Sequence, residues 1–152
     1  MPEVRNRTVV AAPLAAVYAA AQDVEGLAPF ISDVESITVQ EREALPAGPR
    51  TVTAWVGLLP EFRRKLYWTE QDFWDDTAHH CQFQQVTGDF DRYEGDWTFV
   101  STAEGVVVEL VVRYEYDVPL IGPLIQKLLQ RKVQQSVDRI QEGLARRATG
   151  AA

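Results

Sequence analysis

VVVELVVRYEYD (Val106–Asp117) followed, across a Pro- and Gly-containing turn, by PLIQKLLQRKVQQSVDRIQEGLARR (Pro123–Arg147) sets two periodicities side by side. The first segment alternates. Val106, Val108, Leu110, Val112, Tyr114 and Tyr116 share one face, and Glu109, Arg113 and Glu115 share the other, which is the signature of a half-buried strand. It reads as the longest strand of the chain. The second segment repeats every three to four residues. Leu124, Ile125, Leu128, Leu129, Val133, Val137, Ile140 and Leu144 form one helical stripe, opposite Lys127, Arg131, Arg139 and Glu142. About 25 helical residues make a rod of roughly 37 Å. PLIGP (Pro119–Pro123) separates strand from helix, with Gly122 and Pro123 at the border. One apolar sheet face and one apolar helix stripe of comparable length bury each other most economically by packing together.

Working outward toward the N-terminus, the same reasoning gives more strands. Val4–Ala11 reads as a first strand that ends before Pro13, a residue suited to the first turn of a helix. LAAVYAAAQDV follows, with Leu14, Val17, Tyr18 and Ala21 on one helical face, and GLAPF (Gly26–Phe30) forms a further short turn. Strands are then expected at Val34–Glu43, Thr51–Leu58, Phe62–Asp72, His79–Val86 and Tyr93–Val100, separated by LPAGP, Leu59-Pro60, DFWDDTA, Gly88–Arg92 and Ala103-Glu104-Gly105. Short turns between consecutive strands imply antiparallel pairing. The fold class expected is α+β: a curved antiparallel sheet of about seven strands wrapped around a long C-terminal helix, with one or two short helices after the first strand. Residues 1–147 are expected to form a single domain, with 148–152 as a loose tail.

Composition limits the function. At 152 residues the chain has the length of one ordinary domain, and its 46% apolar and 24% charged content argues against intrinsic disorder. A net charge of -7 disfavours nucleic acid as a partner, because phosphate binding needs a concentrated basic surface. Cys81 is the only cysteine, so neither an intrachain disulfide nor a multi-cysteine zinc site is available. No stretch reaches the ~20 apolar residues of a membrane span, and MPEVRNRTVV has no signal-type apolar run, so the cytoplasm is the default location. No glycine-rich phosphate loop or G-x-S-x-G motif occurs. His79-His80-Cys81 cannot chelate one ion, because neighbouring strand residues point to opposite faces. Asp89-x-Asp91 fails as a calcium loop, with Glu94 where glycine is needed and Val100 where a bidentate glutamate is needed. No metal and no cofactor is called for.

The order of elements carries a family resemblance. Val9-x-Ala11-x-Pro13 leads into Val17-Tyr18, then Asp23-Val24-Glu25 and Leu27-x-Pro29-Phe30; Gly88-Asp89-Phe90 leads into Gly95-x-Trp97-x-Phe99. Over roughly residues 3 to 146 the chain resembles the START/Bet v 1-like (SRPBCC) superfamily, within it the polyketide cyclase/dehydrase and coenzyme-Q-binding branch. Gly143-Leu144-Ala145-Arg146-Arg147 matches the quinone-binding helix end in part. The resemblance implies a helix-grip fold whose cavity, between sheet and C-terminal helix, holds a hydrophobic molecule such as a lipid, an isoprenoid quinone or a polyketide. Fold alone does not choose among these.

With that expectation, the candidate ligand-binding residues are Trp55, Arg64, Leu66, Trp68, His80, Gln82, Phe90, Tyr93, Trp97, Tyr114, Leu124 and Leu128. Aromatic and aliphatic side chains would line the cavity, and a few polar groups would orient the ligand. Arg64 would share a face with Leu66 and Trp68; His80 would point inward with Gln82 and Gln84. Trp97 and Phe99 serve equally well to anchor the sheet to the helix, and Asp72, Asp75 and Asp76 read as a solvated turn. The first functional expectation is binding or transport of a hydrophobic small molecule without catalysis, a role that allows transient membrane contact. The alternative is an aromatase/cyclase-type enzyme in which Arg64, His80 and Tyr93 position substrate and move protons. A third is a protein-interaction module like the ribosome-associated toxin relatives.

Overall fold

The computed structural model describes residues 2–60, 63–116 and 123–150. Among them are seven strands: β1 (Glu3–Val10), β2 (Val34–Ala44), β3 (Pro49–Leu59), β4 (Arg64–Asp75), β5 (His80–Gly88), β6 (Arg92–Thr102) and β7 (Gly105–Glu115). Helices α1 (Leu14–Gln22) and α2 (Val24–Leu27), with a 3-10 turn at Ala28–Phe30, fall between β1 and β2, and the long helix α3 (Pro123–Thr149) follows the sheet. The sheet order is β1-β7-β6-β5-β4-β3-β2, antiparallel throughout. It is the helix-grip arrangement expected: a curved sheet around a long helix. The short helices bridge the two edge strands.

Local chemistry explains the boundaries. Pro13 precedes α1 with extended backbone, and the Asp23 carboxylate accepts from Gly26 N–H to start α2. At Gly95 a side chain would collide with the Val111 carbonyl and with the Phe83 ring 2.7 Å away, so glycine lets that ring lie across β6.

α3 is fastened along its C-terminal two-thirds. The buried Gln141 amide donates to the Asn6 and Val108 carbonyls at 3.0 and 2.9 Å, which ties the helix to β1 and β7. Asn6 donates to Asp138. Arg147 donates to the Ala20 and Asp23 carbonyls at the end of α1, and Arg146 to that of Phe30.

Several boundaries differ from expectation. β4, at 12 residues, is longer than β7, at 11. It continues through Asp72 to Asp75, so the DFWDDTA turn begins later than its composition suggests. Asp72 is buried rather than solvated, Asp75 accepts from Thr77 and Ala78 N–H, and Asp76 accepts from the Tyr18 hydroxyl. Ala148 and Thr149 continue α3 instead of starting a tail. Phe62, Asp117, the turn before Pro123 with its Gly122, and the last two residues lie outside the described residues.

Candidate functional site

The inner face of the sheet holds two aromatic clusters with a polar layer between them. Near α1, Trp97 stacks on Phe99 at 5.9 Å, and Phe99 meets Tyr18 edge-on at 5.3 Å beside Trp74. These rings join sheet to helix, and Trp97 belongs to this packing rather than to a cavity. At the other end Trp55 stacks on Trp68 at 5.6 Å, and Phe90, Tyr93 and Tyr114 gather around them.

The polar layer is built from β3 and β4. Glu70 and Asp72, each 5% exposed, share the inner face of β4 with Leu66, Trp68 and Trp74. Asp72 accepts from Thr51 and Thr53 at 3.0 and 2.9 Å; the Trp55 indole N–H donates to Thr53, and that of Trp68 to Glu70 at 2.9 Å. The carboxyls also bond to each other, which requires a shared proton. Burial and the neighbouring Asp72 charge hold the Glu70 pKa well above the usual carboxylate range, so the proton resides on Glu70. Burial also raises Asp72, against the lowering effect of its hydrogen bonds. The pair therefore holds the Trp68 N–H directly through Glu70 and the Trp55 N–H through Thr53, which donates to Asp72.

In front of Trp68 lies a cavity of about 150 Å³ between the β3–β4 end of the sheet and α3. Gly57, Leu59, Leu66, Trp68, Phe90 and Tyr93 line the sheet side; Leu129, Lys132, Val133, Ser136 and Arg139 line the helix side, and Asp33 closes one edge. A Cβ at Gly57 would press on the Trp68 ring at 3.2 Å, so the glycine leaves that indole its place. Among the described residues the Tyr93 hydroxyl makes no hydrogen bond. Burial, then the Glu70, Asp33 and Asp72 charges, push its pKa well above the ordinary phenol value, so it stays a neutral donor. Burial alone pushes Tyr114 up to about 12.

Of the residues expected at the site, Leu66, Trp68, Phe90 and Tyr93 line this cavity. Trp55 and Tyr114 are buried behind it. The remainder lie elsewhere, each for a physical reason. Arg64 has the parity of Leu66 but stands exposed at the first position of β4, where its guanidinium keeps its water. His80 and Gln82 point outward because Cys81 and Phe83 take the inner face of β5, opposite Trp97 and Gly95. His80 Nε2 is 3.0 Å from Asp96, which also accepts from Arg113, all on the outer face. Leu124 is 78% exposed and Leu128 half-buried, and among the described side chains of α3 Leu129 is the first that is buried.

Sequence reasoning missed Glu70, Asp72 and Asp33. Glu70 and Asp72 keep the parity of Leu66 and Trp68, a signal that was present. Asp33 precedes β2 in a turn, where nothing marks it. Among the described residues no group of three His, Cys, Asp or Glu side chains is placed to hold a metal ion, and no helix is long and apolar enough to cross a membrane.

A family model described as polyketide cyclase / dehydrase and lipid transport matches residues 10–141. The crystal structure of TTHA0849 from Thermus thermophilus superimposes with a TM-score of 0.91 at 40% sequence identity, covering 99% of each chain. The Zhui aromatase/cyclase from Streptomyces sp. R1128 follows the same fold with a TM-score of 0.83 at 16% identity, over 97% of this chain and 93% of that one. A START superfamily protein from Mycobacterium smegmatis does so at 0.72 and 14% identity, over 93% and 94%. No curated protein matches the chain by sequence.

Proposed function

Because this chain belongs to the polyketide cyclase / dehydrase and lipid transport family, within the START/Bet v 1-like superfamily, we propose that it binds a small ring-bearing hydrophobic molecule in the cavity between β3, β4 and α3. The observation that carries this reading is the Tyr93 phenol, buried, without a hydrogen-bond partner among the described residues, and set beside the Trp68 and Phe90 rings in the cavity wall. A preformed hollow with apolar ring walls and a few convergent polar groups, here Asp33, Tyr93, Lys132, Ser136 and Arg139, is the usual form of a small-molecule site. Its size narrows the ligand. A cavity of roughly this volume encloses about one benzene ring and, being open on one side, leaves room for a second fused ring at its mouth, whereas drug-sized ligands need roughly 300 Å³ or more. No feature singles out the coenzyme-Q-binding branch.

The test is native mass spectrometry of freshly purified protein, with organic extraction of anything released, followed by titration with 2-naphthol against the tryptophan fluorescence. A ring compound in the extract, and naphthol binding that Val133→Trp abolishes by filling the hollow, are the expected results. A bound long-chain lipid, or naphthol binding untouched by that substitution, would overturn the assignment.

A second reading, an aromatase/cyclase-type enzyme, is favoured by the presence of both Asp33 and Tyr93 in the lining of this cavity. The Asp33 carboxylate would take a proton from the carbon beside a ketone, and the enolate formed would attack a second carbonyl carbon, whose oxygen takes a proton from Tyr93. Loss of the remaining proton on the attacking carbon to the Tyr93 oxygen, with the Asp33 proton passing to the new hydroxyl, would release water and restore both groups. Turnover of a short poly-β-ketone that Tyr93→Phe abolishes, with naphthol affinity largely retained, would establish it; no turnover by the wild-type protein would dismiss it.

A further inference from the structure

Asp33 carries more information than its place in a turn suggests. Its main-chain carbonyl accepts from Leu58 N–H at 2.8 Å, which holds the residue against the end of β3. Its side chain is 10% exposed and lines the cavity. The Arg139 guanidinium approaches one carboxyl oxygen no closer than 3.8 Å, beyond hydrogen-bond range, and Oδ1 has no partner. Burial raises the carboxyl's pKa, against the lowering effect of the Arg139 charge, of hydrogen bonds from its own main-chain N–H and from the Ser136 hydroxyl, and of the Lys132 charge. Nearly every buried polar atom in a folded protein is partnered, so an orphaned acceptor at a cavity wall needs an explanation.

The surroundings specify the complementary group. A cationic ligand would meet Arg139 and Lys132 on the facing helix. A carboxylate brings no donor for Asp33 and meets its charge, which offsets the attraction of Arg139 and Lys132. A neutral hydroxyl supplies the missing hydrogen and leaves its ring against Trp68 and Phe90. We propose that Asp33 is the polar anchor of this cavity and selects ring ligands carrying a neutral hydroxyl donor, such as phenols. The inference rests on the cavity-binding reading above and names the ligand class for it.

Three probes of one ring system, naphthalene, 2-naphthol and 2-naphthoate, separate the contributions when titrated into the wild-type protein, Asp33→Asn and Asp33→Ala. The wild-type protein should bind 2-naphthol about tenfold or more tighter than naphthalene, the usual order for one hydrogen bond to a charged acceptor, and should bind 2-naphthoate more weakly than 2-naphthol. Both variants should bind naphthalene as the wild type does and lose most of the preference for 2-naphthol. The isosteric Asn variant keeps the comparison valid if Ala disturbs the fold. A preference that survives both substitutions assigns the hydroxyl to Tyr93 and refutes the anchor. Equal wild-type affinity for naphthalene and 2-naphthol refutes it as well. Failure of all three probes to bind the wild-type protein removes the cavity reading itself, a distinct result from either of these.

Discussion

Substituting Glu70 by Gln should change the pH dependence of stability, with a size the buried carboxyl pair sets. Glu70 is 5% exposed, is bonded to the Trp68 indole and Asp72, and holds its proton well above the ordinary value of 4.5. The folded protein therefore keeps a proton that the unfolded chain releases once the pH passes that ordinary value. Stability is greatest below it and falls as pH rises, until the folded-state pKa is reached. The slope is about 1.4 kcal/mol per pH unit for one proton, and in a domain of this length that lowers Tm by about 3–5 °C per unit. Glu70→Gln preserves the shape and the acceptor for Trp68, and its amide still donates to Asp72, without a titrating proton. Urea unfolding from pH 5 to pH 9 should show a shallower fall for the variant, and the variant should overtake the wild type toward the alkaline end. Asp33, whose pKa is also raised but not by Glu70, contributes equally to both proteins and cancels in the difference; Cys81 and Tyr93, raised mainly by burial and in part by the Glu70 charge, stay protonated in the folded protein across this range. Parallel pH profiles, or a constant loss in the variant at every pH, would refute the shared-proton reasoning.

Gly95→Ala should cost about 1–3 kcal/mol in urea unfolding, since the new methyl must displace the Phe83 ring or the Val111 carbonyl. Gln141→Leu should cost about 1–3 kcal/mol, because it removes two buried hydrogen bonds that join α3 to β1 and β7. Arg64→Ala and His80→Ala should each leave 2-naphthol affinity within about twofold, as expected of solvent-facing charges away from the cavity; a larger loss for either would return it to the site.

Much of the architecture was legible in the chain because periodicity survives without tertiary context. Alternation in β7 and the three-to-four repeat in α3 predicted the elements and their facing surfaces, and the Gly–aromatic strand Gly95-x-Trp97-x-Phe99 sits inward as read. The site was legible in part. Leu66, Trp68, Phe90 and Tyr93 were named from sequence and line the cavity, but parity says only which face a residue takes. It does not say how far along the strand the covering helix extends, so Arg64 and Leu124 fall beyond the overlap. The face of β5 was misassigned when polar His80 and Gln82 were given the interior, although Cys81 and Phe83 were the apolar members of that alternation.

Sequence alone thus determined the fold class, because burial of apolar surface follows local periods of two and 3.6 residues, while its motifs carried the resemblance to the family. Only the tertiary structure decided where the hollow lies, how small it is and which polar groups meet it. Glu70 and Asp72 read as ordinary surface acids until strands β3 and β4 bring Thr51, Thr53, Trp55 and Trp68 around them. Asp33 reads as a turn residue until α3, more than ninety positions away, closes over it. Burial and partnership are properties of distant segments brought together, and they set the chemistry of a carboxyl more strongly than its neighbours in the chain do.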